Sequence, residues 1–129
     1  WSHDGNTWSL TLPEEMGPSQ WQGQFPINTT IATSQNDKYS FSCTLLADHD
    51  CDGVTIKLTE SDEANGTKHD SNFYFAERHD IKANEPYTYT VKGATLPLND
   101  AHALSLFFDF GGSPVGTYVE ISNIILVKE

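Results

Sequence analysis

Residues 39–45 read Tyr39-Ser40-Phe41-Ser42-Cys43-Thr44-Leu45, apolar at every odd position and hydroxyl-bearing at every even one. Side chains alternate across an extended chain but repeat every 3.6 residues around a helix, so a strict period of two marks a strand with one buried face. Phe41, Cys43 and Leu45 therefore face inward. The split recurs in the next run, where Val54, Ile56 and Leu58 face in and Thr55, Lys57 and Thr59 face out. It recurs again where Tyr87, Tyr89 and Val91 oppose Thr88, Thr90 and Lys92.

Outward from this stretch no helical period is sustained, and the apolar runs are short and bounded by Gly, Pro, Asn and Asp. The pattern predicts strands over 8–12, 22–31, 39–46, 54–60, 72–79, 87–92, 103–110 and 118–127. Alternating strands joined by turns predict an all-β chain, a β-sandwich with jelly-roll topology. Its expected core is Phe25, Phe41, Leu45, Ile56, Leu58, Tyr89, Leu106, Phe108, Ile121 and Leu126. The 129 residues, 37% of them hydrophobic, suffice for one core, and residues 1–129 read as a single module without internal repeat. The row opens at Trp1 without an initiator Met or signal-like run, as expected of a module cut from a longer chain or of a mature chain.

Seven Lys and Arg stand against 18 Asp and Glu, a formal net charge of −11. Polyanions are held by clustered cations, so this balance argues against nucleic acid and anionic membrane as partners and leaves neutral or cationic ones. Cys43 and Cys51 are too few for a disulfide scaffold and lack zinc-ribbon spacing. With Cys43 in a strand and Cys51 just past the following turn, a bridge between them is awkward, though open.

Three strands carry unusual side chains on their outer faces. In 104–110 the core set is Leu104, Leu106, Phe108 and Phe110, which leaves Phe107 pointing out between Ser105 and Asp109. In 21–27, Phe25 and Ile27 face in, Gln22 and Gln24 project outward, and Trp21 sits at the strand entrance. In 72–78 aromatics occupy both faces, and one choice puts Tyr74 and Arg78 outside beside Asn72. A pyranose ring has apolar C–H faces and a fringe of hydroxyls, so aromatic planes beside planar hydrogen-bonding groups suit it. A single exposed aromatic is ordinary, but three strands contributing to one patch point to a binding surface.

The segments Trp21-Gln-Gly-Gln-Phe-Pro-Ile, Asn36-Asp-Lys-Tyr-Ser-Phe-Ser and Gly116-Thr-Tyr-Val-Glu-Ile-Ser-Asn-Ile-Ile-Leu, in this order, resemble the carbohydrate-binding modules of families 4, 9 and 22. They also resemble the shortened versions embedded in xylanases of gut Bacteroidetes. The resemblance implies a secreted or cell-surface, non-catalytic jelly roll whose concave face binds single β-glycan chains. Xylan and xylo-oligosaccharides lead, with β-1,4-glucan or mixed-linkage glucan as alternatives, and the module targets a covalently linked glycoside hydrolase to plant polysaccharide. Carried over by position, the binding aromatic falls on Trp21, the amide ligand on Gln24, and the polar groups of the penultimate strand on Ser105 and Asp109. Phe75 competes with Tyr74 as the sugar-facing ring. The resemblance also implies a structural calcium ion, but this chain opens Trp1-Ser-His-Asp-Gly and carries Ser122 where the family has Asp, so no cofactor is expected and calcium stays an open reading.

Asp48-x-Asp50-x-Asp52-Gly53 matches the start of a calcium loop, yet its twelfth position is Thr59 rather than Glu, so a tight acidic hairpin turn is expected instead. The five histidines, at 3, 49, 69, 79 and 102, lack metal-ligand spacing and read as surface residues. The rival functions are a small glycosidase and a protein-binding adhesion sandwich. A glycosidase needs two carboxylates about 5 to 10 Å apart, but strand parity sends Glu77 into the other layer, away from Asp109.

Overall fold

In the computed structural model, residues 2–13, 23–35, 37–61, 73–95 and 103–128 are described. The period-two runs form strands: β1 (Ser2–Asp4), β2 (Thr7–Thr11), β3 (Gln24–Ala32), β4 (Lys38–Ala47), β5 (Cys51–Ser61), β6 (Phe73–Ile81), β7 (Tyr87–Thr95), β8 (Ala103–Asp109) and β9 (Tyr118–Lys128). No α-helix occurs among the described residues. All pairings are antiparallel, in a five-stranded sheet ordered β1-β2-β9-β4-β7 and a four-stranded sheet ordered β3-β8-β5-β6. The two sheets close face to face as a jelly-roll sandwich.

Between them lies the core that alternation predicts. Phe41, Cys43, Leu45 and Tyr89 from the five-stranded sheet meet Phe25, Ile56, Leu58, Leu106 and Phe108 from the other, and Ile121 is buried with them. Leu126 is only partly buried, because β9 shifts register against β4 between Ser42 and Thr44 and loses its alternation there. Cys43 and Cys51 are both buried as free thiols, and burial pushes the Cys43 thiol up to about 12, so it stays protonated and unreactive.

Two expectations need correction. The acidic turn is not a hairpin, because β4 and β5 belong to different sheets and do not pair; residues 48–50 carry the chain from one sheet to the other. The Asp48 Oδ1 accepts the Tyr118 N–H at 2.9 Å and Asp50 Oδ1 accepts the Ala83 N–H at 2.8 Å, so these carboxylates brace the crossover. His79 is not a surface residue. It shares the inward parity of Glu77 and lies half-buried between the sheets, its ring 5.2 Å from Tyr87 and 4.7 Å from Tyr89, with the Tyr87 hydroxyl 2.7 Å from Nδ1. His49 is exposed, as expected.

Candidate functional site

The outer face of the four-stranded sheet can be read row by row from its register, since antiparallel Cα partners share a face. One row crosses all four strands: Gln24 on β3 opposes Asp109 on β8, which opposes Thr55 on β5, which opposes Arg78 on β6. The next row holds Pro26, Phe107 and Lys57, and the one after it Ser105 and Thr59. With strands about 4.8 Å apart, the first row is about 14 Å long.

That first row is polar throughout and joined at its centre. Gln24 Nε2 donates to Asp109 Oδ1 at 3.0 Å, and Lys57 Nζ lies 2.6 Å from Asp109 Oδ2. The ammonium approaches that oxygen away from a good hydrogen-bonding direction, so the contact is an ion pair first. Both partners are nearly out of water, with side chains 11% and 0% exposed, so the attraction of each for the other offsets the cost of burying it. Thr55 is buried beside them with an unpartnered Oγ1. Gln24 and Arg78, at the two ends, are exposed. The row and its neighbour thus carry an amide and a guanidinium exposed at the two ends and, buried between them, a carboxylate, an ammonium and a hydroxyl, so that donors and acceptors interleave across the sheet.

Gln24, Ser105, Phe107 and Asp109 therefore lie on this face, as parity predicts, and Arg78 joins them, as one of the two choices for its strand has it. Their accessibility does not follow parity. Ser105, Phe107 and Asp109 are buried, Phe107 to 3%, so its ring offers no open plane for a sugar and the expectation of a stacking platform there is corrected. The physical cause is position: β8 is an inner strand, and Phe107 is flanked by Pro26 on one side and the long stem of Lys57 on the other. On β6 a bulge upsets the alternation, since three steps from Tyr74 to Glu77 match two from Leu58 to Ile56. The register sets Tyr74 opposite Leu58, a core residue, and Phe73 opposite Thr59. Trp21, Gln22 and Asn72 lie outside the described residues. Thr55 and Lys57 belong to the site and were not singled out by sequence. The signal was there: a lone Lys in Val-Thr-Ile-Lys-Leu-Thr and a lone Asp in Leu-Phe-Phe-Asp-Phe, both on outward positions, attract one another if their strands adjoin.

Glu77 and Asp109 do not form a catalytic pair. Glu77 opposes Ile56 on the core side and its Oε2 accepts the Tyr89 hydroxyl at 3.3 Å, whereas Asp109 lies on the opposite face of the sheet, paired with Lys57. Among the described residues no three His, Cys, Asp or Glu side chains gather to hold a metal ion. At the position where the resemblance implies calcium, the Asn6 side chain accepts the Ile124 N–H at 3.2 Å and donates to the Ile124 carbonyl at 3.4 Å, beside Asn123 at φ 51.

Searches with family models and against curated proteins find no match to this chain. Solved structures do match. A family 4 carbohydrate-binding module superposes with a TM-score of 0.64 at 18% identity, covering 95% of this chain and 84% of its own. The N-terminal cellulose-binding domain of Cellulomonas fimi β-1,4-glucanase C gives 0.65 at 19%, covering 97% and 80%. The carbohydrate-binding module of PbXyn10C, without ligand, gives 0.58 at 14%, covering 95% and 67%. The fold is that of a family 4 type carbohydrate-binding module. In this fold the polar row runs across all four strands of the four-stranded sheet, with Gln24 and Arg78 exposed at its two ends.

Proposed function

We propose that this chain is a non-catalytic module that lays a single β-glycan chain along the Gln24-Asp109-Thr55-Arg78 row and so keeps a covalently attached glycoside hydrolase close to extracellular plant polysaccharide. The observation that carries this reading is the row itself, and above all Thr55, whose buried, unpartnered hydroxyl awaits a polar partner on a face already furnished with an amide and an ion pair. The fold of the carbohydrate-binding modules above supports it. Trp21 supplies a stacking plane in this reading, with Gln22 and Asn72 extending the polar fringe.

Xylan is the first ligand. Xylose lacks the C6 hydroxymethyl group, so a xylan groove works with few rings and planar polar groups reading O2 and O3, which matches a row of polar side chains better than an aromatic strip. β-1,4-Glucan is the second reading, favoured by the likeness to a cellulose-binding domain. Isothermal titration with xylohexaose, cellohexaose and laminarin tests both. Saturable binding to xylohexaose without release of reducing ends is expected, and Trp21→Ala weakens it by about 1 to 3 kcal/mol, the worth of a buried aromatic side chain. Tighter binding of cellohexaose reverses the ranking; release of new reducing ends, or silence with all three sugars, removes the reading.

A further inference from the structure

Arg78 is the only arginine in the chain, and it is exposed in a protein with 18 acidic residues, yet among the described residues it forms no ion pair or hydrogen bond. Its guanidinium instead lies over the bare backbone of Gly53. A Cβ on Gly53 would collide with Nη2 and come within 3.0 Å of Cζ and Nε, so only glycine, here at φ +75, leaves the head room to lie there. The carboxylates around it are otherwise engaged: Asp80 Oδ1 accepts the Gly53 N–H at 3.0 Å, Glu77 turns to Tyr89 in the other layer, and Asp109 is paired with Lys57. Asp52, next to Gly53, is exposed. Directly opposite Arg78 stands Thr55 with its unpartnered, buried Oγ1.

We propose that Arg78 and Thr55 form a subsite for the carboxylate of a uronic acid carried as a substituent on the glycan. This rests on the glycan-binding reading above. The planar guanidinium presents two parallel N–H donors to both oxygens of a carboxylate, a match that neutral hydroxyls do not reproduce, and the Thr55 hydroxyl donates to a remaining lone pair. Asp52, Asp80 and the net charge of −11 repel a polyanion while admitting one carboxylate on an otherwise neutral chain, so the subsite selects sparsely substituted glycans over polyuronates.

Isothermal titration of the whole chain with a xylo-oligosaccharide bearing one glucuronic acid, and with the same oligosaccharide unsubstituted, tests this. The acidic ligand should bind about tenfold more tightly, the worth of one charge-assisted contact, with the advantage shrinking in 1 M NaCl. Arg78→Gln should bring the ratio of the two affinities to about one and Arg78→Lys should keep part of it, in variants whose thermal unfolding shows them folded. Equal affinities for the wild type, a ratio that survives Arg78→Gln, or tighter binding of polygalacturonate overturns the subsite while leaving glycan binding in place. Binding of neither oligosaccharide overturns the glycan reading, and the subsite with it.

Discussion

The two sheets carry the same alternating script and treat their outer faces in opposite ways. On the five-stranded sheet, Ser40, Ser42 and Thr44 are half-buried, Thr88, Thr90 and Lys92 are exposed, and even Ile125 and Val127 stand 52% and 47% open to solvent. On the four-stranded sheet, Thr55, Lys57, Thr59, Ser105 and Asp109 are all buried, although every one is polar. Leaving hydroxyls in water costs nothing, whereas burying an ammonium, a carboxylate and an unpaired hydroxyl opposes folding unless each finds a partner. In the reading proposed above, a face that accepts this cost is organised for a ligand. The other is organised for water.

Breaking one partner on each face gives the largest contrast. Lys57→Ala leaves the Asp109 carboxylate buried without its cation and should destabilise the fold by about 3 kcal/mol, the usual cost of an orphaned buried charge. Thr44→Ala removes only an exposed hydroxyl contact, 3.3 Å from Thr88 Oγ1, and should stay within about 0.5 kcal/mol. Urea titration reads both. The double variant Lys57→Met with Asp109→Leu should recover much of the loss, since an apolar pair of similar volume replaces an ion pair at little cost. If Lys57→Ala proves as mild as Thr44→Ala, the two faces do not differ in the way described.

The contrast also marks how far the sequence could be read. Alternation within Tyr39–Leu45, Val54–Thr59 and Leu104–Phe110 identifies each strand and its inward residues, because facing is a local property of an extended chain. It assigns Gln24, Ser105, Phe107 and Asp109 to one face for the same reason, and places Arg78 there only as one of two choices. Which strands adjoin is not local: that β8 sits between β3 and β5, pressing Lys57 against Asp109 and burying Phe107, depends on pairings between residues about forty to eighty-five apart in sequence. The β6 bulge is similarly hidden, since one extra residue reverses parity without any glycine or proline to announce it.

A smaller effect probes the open side of the sandwich, where β6 and β7 bring His79 against Tyr87 and Tyr89. Burial holds the His79 pKa below the usual 6.5, with Glu77 and Asp80 pulling the other way. The folded state thus binds fewer protons than the unfolded one in the window just below 6.5. Its contribution to stability is complete above pH 6.5 and is lost as the pH falls through the lower folded value. A second loss belongs to Asp37 and Asp48, whose hydrogen bonds with Lys128 and His49 hold them below 3.8, so it sets in only below that pH. The urea midpoint should therefore fall in two steps on acidification, and His79→Gln should remove the first alone. A single step below pH 4 in the wild type would show that the histidine is not desolvated.

The smallest effect is expected where an apolar surface is most conspicuous. Ile125 and Val127 oppose Ser42 and Ser40 on the five-stranded sheet, beside a depression of about 280 Å³ lined by Ser40, Ser42, Thr90, Lys92 and Ile125. This is the competing location for a ligand. It opens on the face opposite the polar row, and Phe41, which contributes to its lining, is 2% exposed and shows no ring plane on which a sugar could stack. Ile125→Thr and Val127→Thr keep the β-branched shape that suits a strand and exchange an ethyl and a methyl group, on side chains already half in water, for a hydroxyl that water can solvate. Each should alter stability by less than about 0.5 kcal/mol. Neither should change glycan affinity measurably by titration calorimetry, while Thr55→Val, on the other face, should weaken it. If Ile125→Thr weakens binding and Thr55→Val does not, the glycan lies in the depression and the assignment of the two faces is reversed.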